Sequence, residues 1–293
     1  QQMFDDADAL GKSVFVARDS CLGKGGTKMY ASLQSHEELA EILLSTKSQE
    51  CCMYELIREG RPCKLYLDVE WESKDGAGPN PHQVLSSVVS KLESFVQEAY
   101  GKTPHLIVLQ GSRAKGDTMK YSYHICATNV AFSCNFGSMK HVVEAFVDKH
   151  DDDPLLSWGA NRSIVDLSVY TKNRCFRTPL SHKKDDCSRT KLQRVVLKAQ
   201  EDGAPSTWEQ EPFAATEELL GAFVTHVPEG TFIIPDPIGT QHAQASARGA
   251  SRKRPLAALD APSPTDGSVA LERNENVVQM QQLLDEKGIQ GFK

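Results

Sequence analysis

The sequence predicts an α/β (α+β) chain built on mixed β-sheets, on three observations. Its predicted elements run β, α, β, β, α, β, β, α, β, an order that points to a mixed sheet flanked by helices. Its hydrophobic content of 40% and charged content of 25% are those of an ordinary globular protein. Three short segments also alternate polar with apolar residues, as strands covered on one face do.

Taken in order, "KSVFVAR" (12–18) reads as a strand, and the Gly-rich "GKGG" (23–26) turns it into "KMYASL". Ser35 followed by Glu38 is a capping-box signature that opens a helix through about Leu44. "CCMYELI" and "CKLYLDVEW" are two further strands separated by "REGRP". From His82 to Ala99 the apolar residues Val84, Leu85, Val88, Val89, Leu92, Phe95, Val96 and Ala99 keep a helical period, stopped by Gly101. "HLIVLQG" (105–111) is a short buried strand, and a second helix follows Ser138 through Val142, Val143 and Phe146 to the acidic run at 151–153.

The organisation expected is a core over 1–236, an Ala/Ser/Pro-rich disordered linker over 237–268 and a short helical tail over 269–293. The chain opens on Gln1 rather than Met, so it reads as a fragment or processed product, and the tail as the start of a further C-terminal region. No apolar run reaches the ~18 residues of a membrane span. Eight cysteines are too few for a disulfide scaffold in 293 residues, so reduced thiols in an intracellular compartment are expected. Cys175, His182 and Cys187 are irregularly spaced with no evident fourth ligand, so no zinc site is read.

The formal net charge of −6 hides an asymmetry: residues 161–198 hold ten Lys or Arg against three Asp. A local basic field in an acidic chain suits a polyanion, although a solvated charged face has the same composition.

In "KLYLDVEW" (64–71), Leu65, Leu67, Val69 and Trp71 share one face, and Tyr66, Asp68 and Glu70 the other. The two carboxylates then lie roughly 6–7 Å apart and repel, so something positive belongs between them. In "KYSYHI" (120–125), Lys120, Ser122 and His124 point one way, Tyr121 and Tyr123 the other. In "SIVDLSVY" (163–170), read as a third strand, Asp166 shares a face with Ile164 and Ser168, while Val165, Leu167 and Val169 face the core. Paired in one sheet, the three would bring Asp68, Glu70 and Asp166 together.

Three carboxylates can hold two divalent cations about 3.5–4 Å apart, the arrangement that supports nucleotidyl transfer. Hard ions such as Mg²⁺ or Mn²⁺ keep positions open for substrate phosphates. Lys120, Ser122, His124, Arg174 and Lys183 are suitable donors to a triphosphate. Singly, each element has an ordinary structural reading: a surface D-x-E, a half-buried His, a core Tyr. Their agreement in order, spacing and face carries the inference.

"KLYLDVEW", "KYSYHI" and "VDLSVYTKNRCFRTPLSHK" resemble, in order, the three signature motifs of the archaeo-eukaryotic primase superfamily, most closely its eukaryotic primase-polymerase (PrimPol) branch. Tyr54, Glu55 and Ile57 match the Y-E-x-I that precedes the D-x-E, and the resemblance covers about 12–235. It implies the primase fold, with mixed sheets flanked by helices and the active site on a sheet face between two subdomains. It implies that Asp68, Glu70 and Asp166 are catalytic and bind two Mn²⁺ or Mg²⁺ ions. Lys120, Ser122, His124, Arg174, Arg177 and Lys183 would bind the nucleotide. Tyr54 would lie near its sugar, and Lys28 near the template or nucleotide.

The activity implied is template-directed DNA primase/polymerase synthesis, in repriming or damage tolerance, by a monomer in the nucleus or mitochondrion. Partners would be a single-stranded or primed DNA template and deoxynucleoside or nucleoside triphosphates. A single-stranded-DNA-binding protein could join through the C-terminal region, and no membrane is involved. The family commonly carries a C-terminal zinc module used in priming, whereas no Cys follows Cys187 here; this departure bears on initiation more than on extension. Two rival readings share part of this pattern. A two-metal 3′–5′ exonuclease usually follows its D-x-E with Thr and small residues, where this chain has Trp71 and Glu72. A non-catalytic single-stranded nucleic-acid-binding module would have no use for repelling carboxylates.

Overall fold

The computed structural model describes residues 2–19, 27–47, 50–74, 78–157, 163–184, 190–200 and 204–235. The expected turn at 23–26, linker at 237–268 and tail at 269–293 lie outside the described residues. The helices are α1 (Gln2–Ala9), α2 (His36–Ser45), α3 (Pro81–Tyr100), α4 (Lys140–Lys149) and α5 (Thr216–Ala222). The strands are β1 (Val14–Asp19), β2 (Lys28–Leu33), β3 (Met53–Ile57), β4 (Cys63–Lys74), β5 (Leu106–Gln110) and β6 (Arg113–Lys115). They continue with β7 (Thr118–Phe132), β8 (Arg174–Arg177), β9 (Gln193–Lys198), β10 (Thr207–Gln210) and β11 (Phe232–Ile234). Helices and mostly antiparallel strands in this arrangement make an α+β fold.

Two sheets divide the strands. A four-stranded antiparallel sheet has the order β2-β1-β3-β8. A seven-stranded sheet is organised on β7, which pairs β4 along one edge and β6, β5 and β11 along the other. The β11–β7 ladder is parallel and makes that sheet mixed.

Side-chain alternation decides what each face does. Leu65, Leu67, Val69 and Trp71 are buried in one cluster with Val84, Leu85, Val88, Leu92 and Val96 of α3. Each such aliphatic side chain contributes about 2 kcal/mol of burial, offset in part by lost chain entropy. In the smaller sheet, Val14, Val16, Leu33 and Met53 join Leu39, Ile42 and Leu43 of α2 and Leu219 of α5. Its opposite face buries Phe15 and Leu56 against Ala7 of α1.

The helix signals act as read. Ser35 Oγ accepts from the Glu38 amide, and the Glu38 carboxylate accepts from the Gln34 amide at 2.6 Å. Asn80 caps α3, and Gly101, with φ of 67°, ends it in the left-handed conformation. The sequence pattern does not signal α1, β6, β8 to β11 or α5, each of them only three to eight residues long.

One expectation is corrected. Residues 163–170 do not form a strand; they make two isolated antiparallel bridges, Ser163 to Ser157 and Val165 to Val69, and then a 3₁₀ turn over Leu167–Val169. The Asp166 carboxylate accepts from the Ser168 amide at 2.8 Å, and that local bond diverts the backbone from a ladder. Ile164, Val165 and Val169 are all buried, so strict alternation fails here as well.

Candidate active site

Strands β4 and β7 set the floor of the site. Their register places Asp68 opposite His124 and Glu70 opposite Ser122, so the acidic and donor residues share one face as read. Trp71 stacks on Tyr121 and Tyr123 on the other face, with ring centroids 4.8 and 5.7 Å away. The positive charge expected beside the acids is Lys120, whose Nζ lies 2.6 Å from Glu70 Oε2. Ser122 Oγ donates to Glu70 Oε1 at 3.3 Å.

Asp166 reaches the same place by backbone. Its amide donates to the Asp68 carbonyl at 2.8 Å, and the Glu70 amide donates to the Ile164 carbonyl at 2.7 Å. The turn that replaces the expected strand thus keeps Asp166 beside Asp68 and Glu70. Burial first, then the Glu70 and Asp166 charges, push the Asp68 carboxyl up to about 7, against relief from Lys183 and Arg177. Asp68 Oδ1 is sealed from solvent and accepts no hydrogen bond. Among the described residues, no three His, Cys, Asp or Glu side chains are drawn close enough to hold one ion as they stand. Glu70 is engaged by Lys120, and Asp166 by the Ser168 amide. The donor set nevertheless fits a hard cation: all-oxygen, anionic, mutually repelling, with one buried oxygen unpartnered.

Strand β8 closes the site from the smaller sheet. Phe176 lies 4.1 Å from the His124 ring, stacked at 26°, and 4.4 Å from Tyr66. His124 is 5% exposed, with Nε2 at 3.9 Å from Asp68 Oδ1 and Nδ1 unpartnered. Burial, reinforced by Arg177 and Lys183, holds it well below the usual histidine range, so it is neutral. Arg177 is 4% exposed, its Nε and Nη1 without partners, and it feels Asp68 and Glu70. Burial lowers the pKa of Lys183, whose neighbours are Arg177, Glu70, Lys120 and Asp68. Gly111 makes room for Arg177: a Cβ there would stand 3.2 Å from Nη2 and 3.1 Å from Leu192 Cδ2.

Tyr54 and Lys28 form an adjoining cluster on the smaller sheet. Tyr54 pairs in register with Arg177 and donates its hydroxyl to Asp19 Oδ2 at 2.7 Å. Lys28 Nζ pairs with Asp19 and sits 3.4 Å from the Tyr54 ring centroid. Burial, then Asp19, raise the Tyr54 phenol above its usual range. Arg174 stands further along β8 opposite Ile57, with Nε unpartnered and its charge felt by Tyr66 and Cys175.

The structure therefore gathers Asp68, Glu70, Asp166, Lys120, Ser122, His124, Arg177 and Lys183, with Tyr54 and Lys28 reached through Arg177. No family model matches the chain. Over 175 residues, 52% of this chain and 14% of the relative, it is 26% identical to a protein of Ostreid herpesvirus 1 (isolate France) named "Putative primase". Over 199 residues, 62% of this chain and 17% of the relative, it is 27% identical to "Uncharacterized protein ORF49" of the same virus. The matched part is thus a small share of either viral protein.

Several contributors were not anticipated. Asp19 anchors Lys28 and Tyr54, Phe176 covers His124, and Arg113 is close enough to affect Arg177. Asn135 and Tyr170 hold Tyr66: its hydroxyl donates to Asn135 Oδ1 at 2.9 Å, and the Tyr170 hydroxyl donates to its carbonyl at 2.7 Å. Only Arg113 had a local signal, being a basic residue just past a strand and a Gly-Ser pair.

The basic segment 161–198 also divides. Arg177 and Lys183 face the acids, while Lys172, Arg194 and Lys198 pair with Glu59, Glu211 and Glu218 on the surface. His182 lies against Cys52 at 3.5 Å, and Cys187 is outside the described residues. Among the described residues, no helix is long and apolar enough to cross a membrane.

Proposed function

We propose that this chain is the catalytic core of a template-directed primase-polymerase, joining a primer 3′-hydroxyl to the α-phosphate of an incoming nucleotide. The observation that carries the reading is the unpartnered, proton-hungry Asp68 carboxylate held against Glu70 and Asp166, with Lys120, Lys183 and Arg177 around them. Such a cluster is costly unless divalent cations and phosphates complete it. The distant similarity to a viral protein named as a primase supports the same class.

Asp68, Glu70 and Asp166 would hold two Mn²⁺ or Mg²⁺ ions, which supply a lowered hydroxyl pKa and neutralise charge at the α-phosphate. The remaining work belongs to the protein. Lys183 and Arg177 offer charge-assisted donors to the triphosphate, with Arg174 further along β8. Lys120, held by Glu70 at 2.6 Å on the same face, would offer its ammonium to a phosphate. Ser122 donates from the same face. His124, neutral under Phe176, would offer the nucleotide an N–H donor rather than charge. Tyr54, held by Asp19, bounds the sugar's side, and Lys28 beside it meets the nucleotide or template. Substrates would be deoxynucleoside or nucleoside triphosphates on single-stranded or primed DNA, and the physiological setting repriming or damage-tolerant synthesis in nucleus or mitochondrion. A single-stranded-DNA-binding protein joining through the C-terminal region, and a monomeric state, belong to the same proposal.

The test is incubation of the protein with Mn²⁺, nucleotides and a labelled primer annealed to a longer template. Lengthening by template-specified nucleotides is expected. Shortening without lengthening would instead indicate a 3′–5′ exonuclease and end the proposal.

A further inference from the structure

We infer that Phe136, with Lys140 and Lys172, forms a stacking platform for one base of a single-stranded nucleic acid entering the site. This rests on the reading above but assigns a binding position that the acids and triphosphate donors do not supply. Phe136 is 42% exposed, whereas Phe is among the residue types most often buried. Lys140 Nζ and Lys172 Nζ lie 5.6 and 5.7 Å from its ring centroid. An exposed aromatic ring flanked by two ammonium groups is complementary to a nucleobase with its adjoining phosphates.

The backbone holds this ring outward. Phe136 belongs to a π-type turn, Asn135–Met139, in which Gly137 takes φ of 118°. Cys134 Sγ donates to the Phe136 carbonyl at 3.1 Å, and the Cys134 amide to Ser138 Oγ at 3.3 Å. Asn135, 2% exposed, is clamped by the Tyr66 hydroxyl and by its own Nδ2 donating to the Thr171 carbonyl at 3.0 Å. Tyr66 is two residues before Asp68 on the same face of β4, and Thr171 precedes Lys172 in the segment that begins at Asp166. Through Asn135 the platform is therefore tied to the Tyr66 side chain of β4 and to the Thr171 carbonyl, in the two segments that carry the acids.

Both lysines have carboxylate neighbours, Glu144 at 3.7 Å from Lys140 and Glu59 beside Lys172. These are exposed pairs of small worth, and a polyanion readily displaces them. A sequence-indifferent strand is the occupant this chemistry fits, since every base has a π-face.

The experiment is fluorescence anisotropy of a labelled oligodeoxythymidine with the wild-type chain, F136A, F136W and K140A/K172A, alongside primer extension. F136A is expected to weaken binding roughly 5- to 100-fold, and F136W to restore it. K140A/K172A should reduce the slope of log affinity against log salt by about 1.4. Thermal melts of F136A should match wild type, because the ring is exposed. If the wild type binds and extends while F136A binds equally tightly, the platform is overturned and the polymerase reading stands. A wild type that neither binds the oligonucleotide nor extends a primer would overturn both.

Discussion

Two regions of this molecule bury charge, and they do so differently. Around Glu55 and Lys64 every group is answered. Glu55, 1% exposed, accepts from the Val224 amide, the Thr225 amide and Thr225 Oγ1 at 3.1, 2.8 and 2.5 Å. Lys64, also 1% exposed, donates to the Leu220 and Gly221 carbonyls at 3.3 and 2.8 Å. Because Thr225 gives its proton to Glu55, its oxygen accepts from His36 Nε2, 2.9 Å away, which extends the network to the surface. Around Asp68 the opposite holds: Asp68 Oδ1, His124 Nδ1, and Nε and Nη1 of Arg177 are buried without partners. A satisfied buried network ties elements together, whereas an unsatisfied one is maintained against its own cost, as it is at sites that a ligand or ion completes.

Substitutions at the two regions should therefore separate stability from activity. The largest effect is expected from D68N, which should lower primer extension by roughly a thousandfold, since cation stabilisation of this kind is worth several kcal/mol. Its melting temperature without metal should equal or exceed that of wild type, because a repelling buried charge is gone. A clear loss of stability on D68N would place Asp68 in the structural class instead. E55A should do the reverse. Leaving three donors unanswered, it should cost about 3 kcal/mol in urea unfolding while the folded fraction extends primers normally.

K183A is smaller. It should raise the apparent KM for the nucleotide roughly tenfold, the size of one charge-assisted hydrogen bond, with unfolding unchanged. An unaltered KM would remove Lys183 from the proposed phosphate site.

The two regions should also answer acid with opposite signs. Burial, with His226 and Lys64 nearby, pushes His36 down to about 3 from 6.5. The folded protein then binds fewer protons than the unfolded chain between those values, so this group's stability is full above about 6.5 and is lost as pH falls toward 3. Asp68 is raised from 3.8 to about 7, so the folded state binds more protons there; its favourable contribution is full below 3.8 and is lost as pH rises through 7. Across that window H36Q should flatten the acid loss in melting temperature, and D68N should remove an acid gain. Parallel curves for either variant and wild type would contradict the assignment. The smallest effect is S35A, about 1 kcal/mol through loss of the α2 cap, with no change in activity.

Much of this was readable residue by residue. Period-two alternation placed Asp68 and Glu70 opposite the core face, and Lys120, Ser122 and His124 on one face of their strand, because alternation is enforced by the backbone alone. The helix over 82–99 and the cap at Ser35 follow from equally local rules. Asp166 shows where local rules ran out: the alternating pattern of 163–170 suggested a strand, but the aspartate's own bond to the Ser168 amide turned the chain.

What the sequence by itself determined is the chemical face of each strand, since that depends only on spacing. Tertiary structure alone decided which faces meet: that β7 carries His124 opposite Asp68, that β8 brings Phe176 and Arg177 over them, and that the Asp166 amide docks on the Asp68 carbonyl. Those contacts join residues many tens of positions apart. Their geometry is set by the packing of two sheets, which no short stretch of sequence encodes.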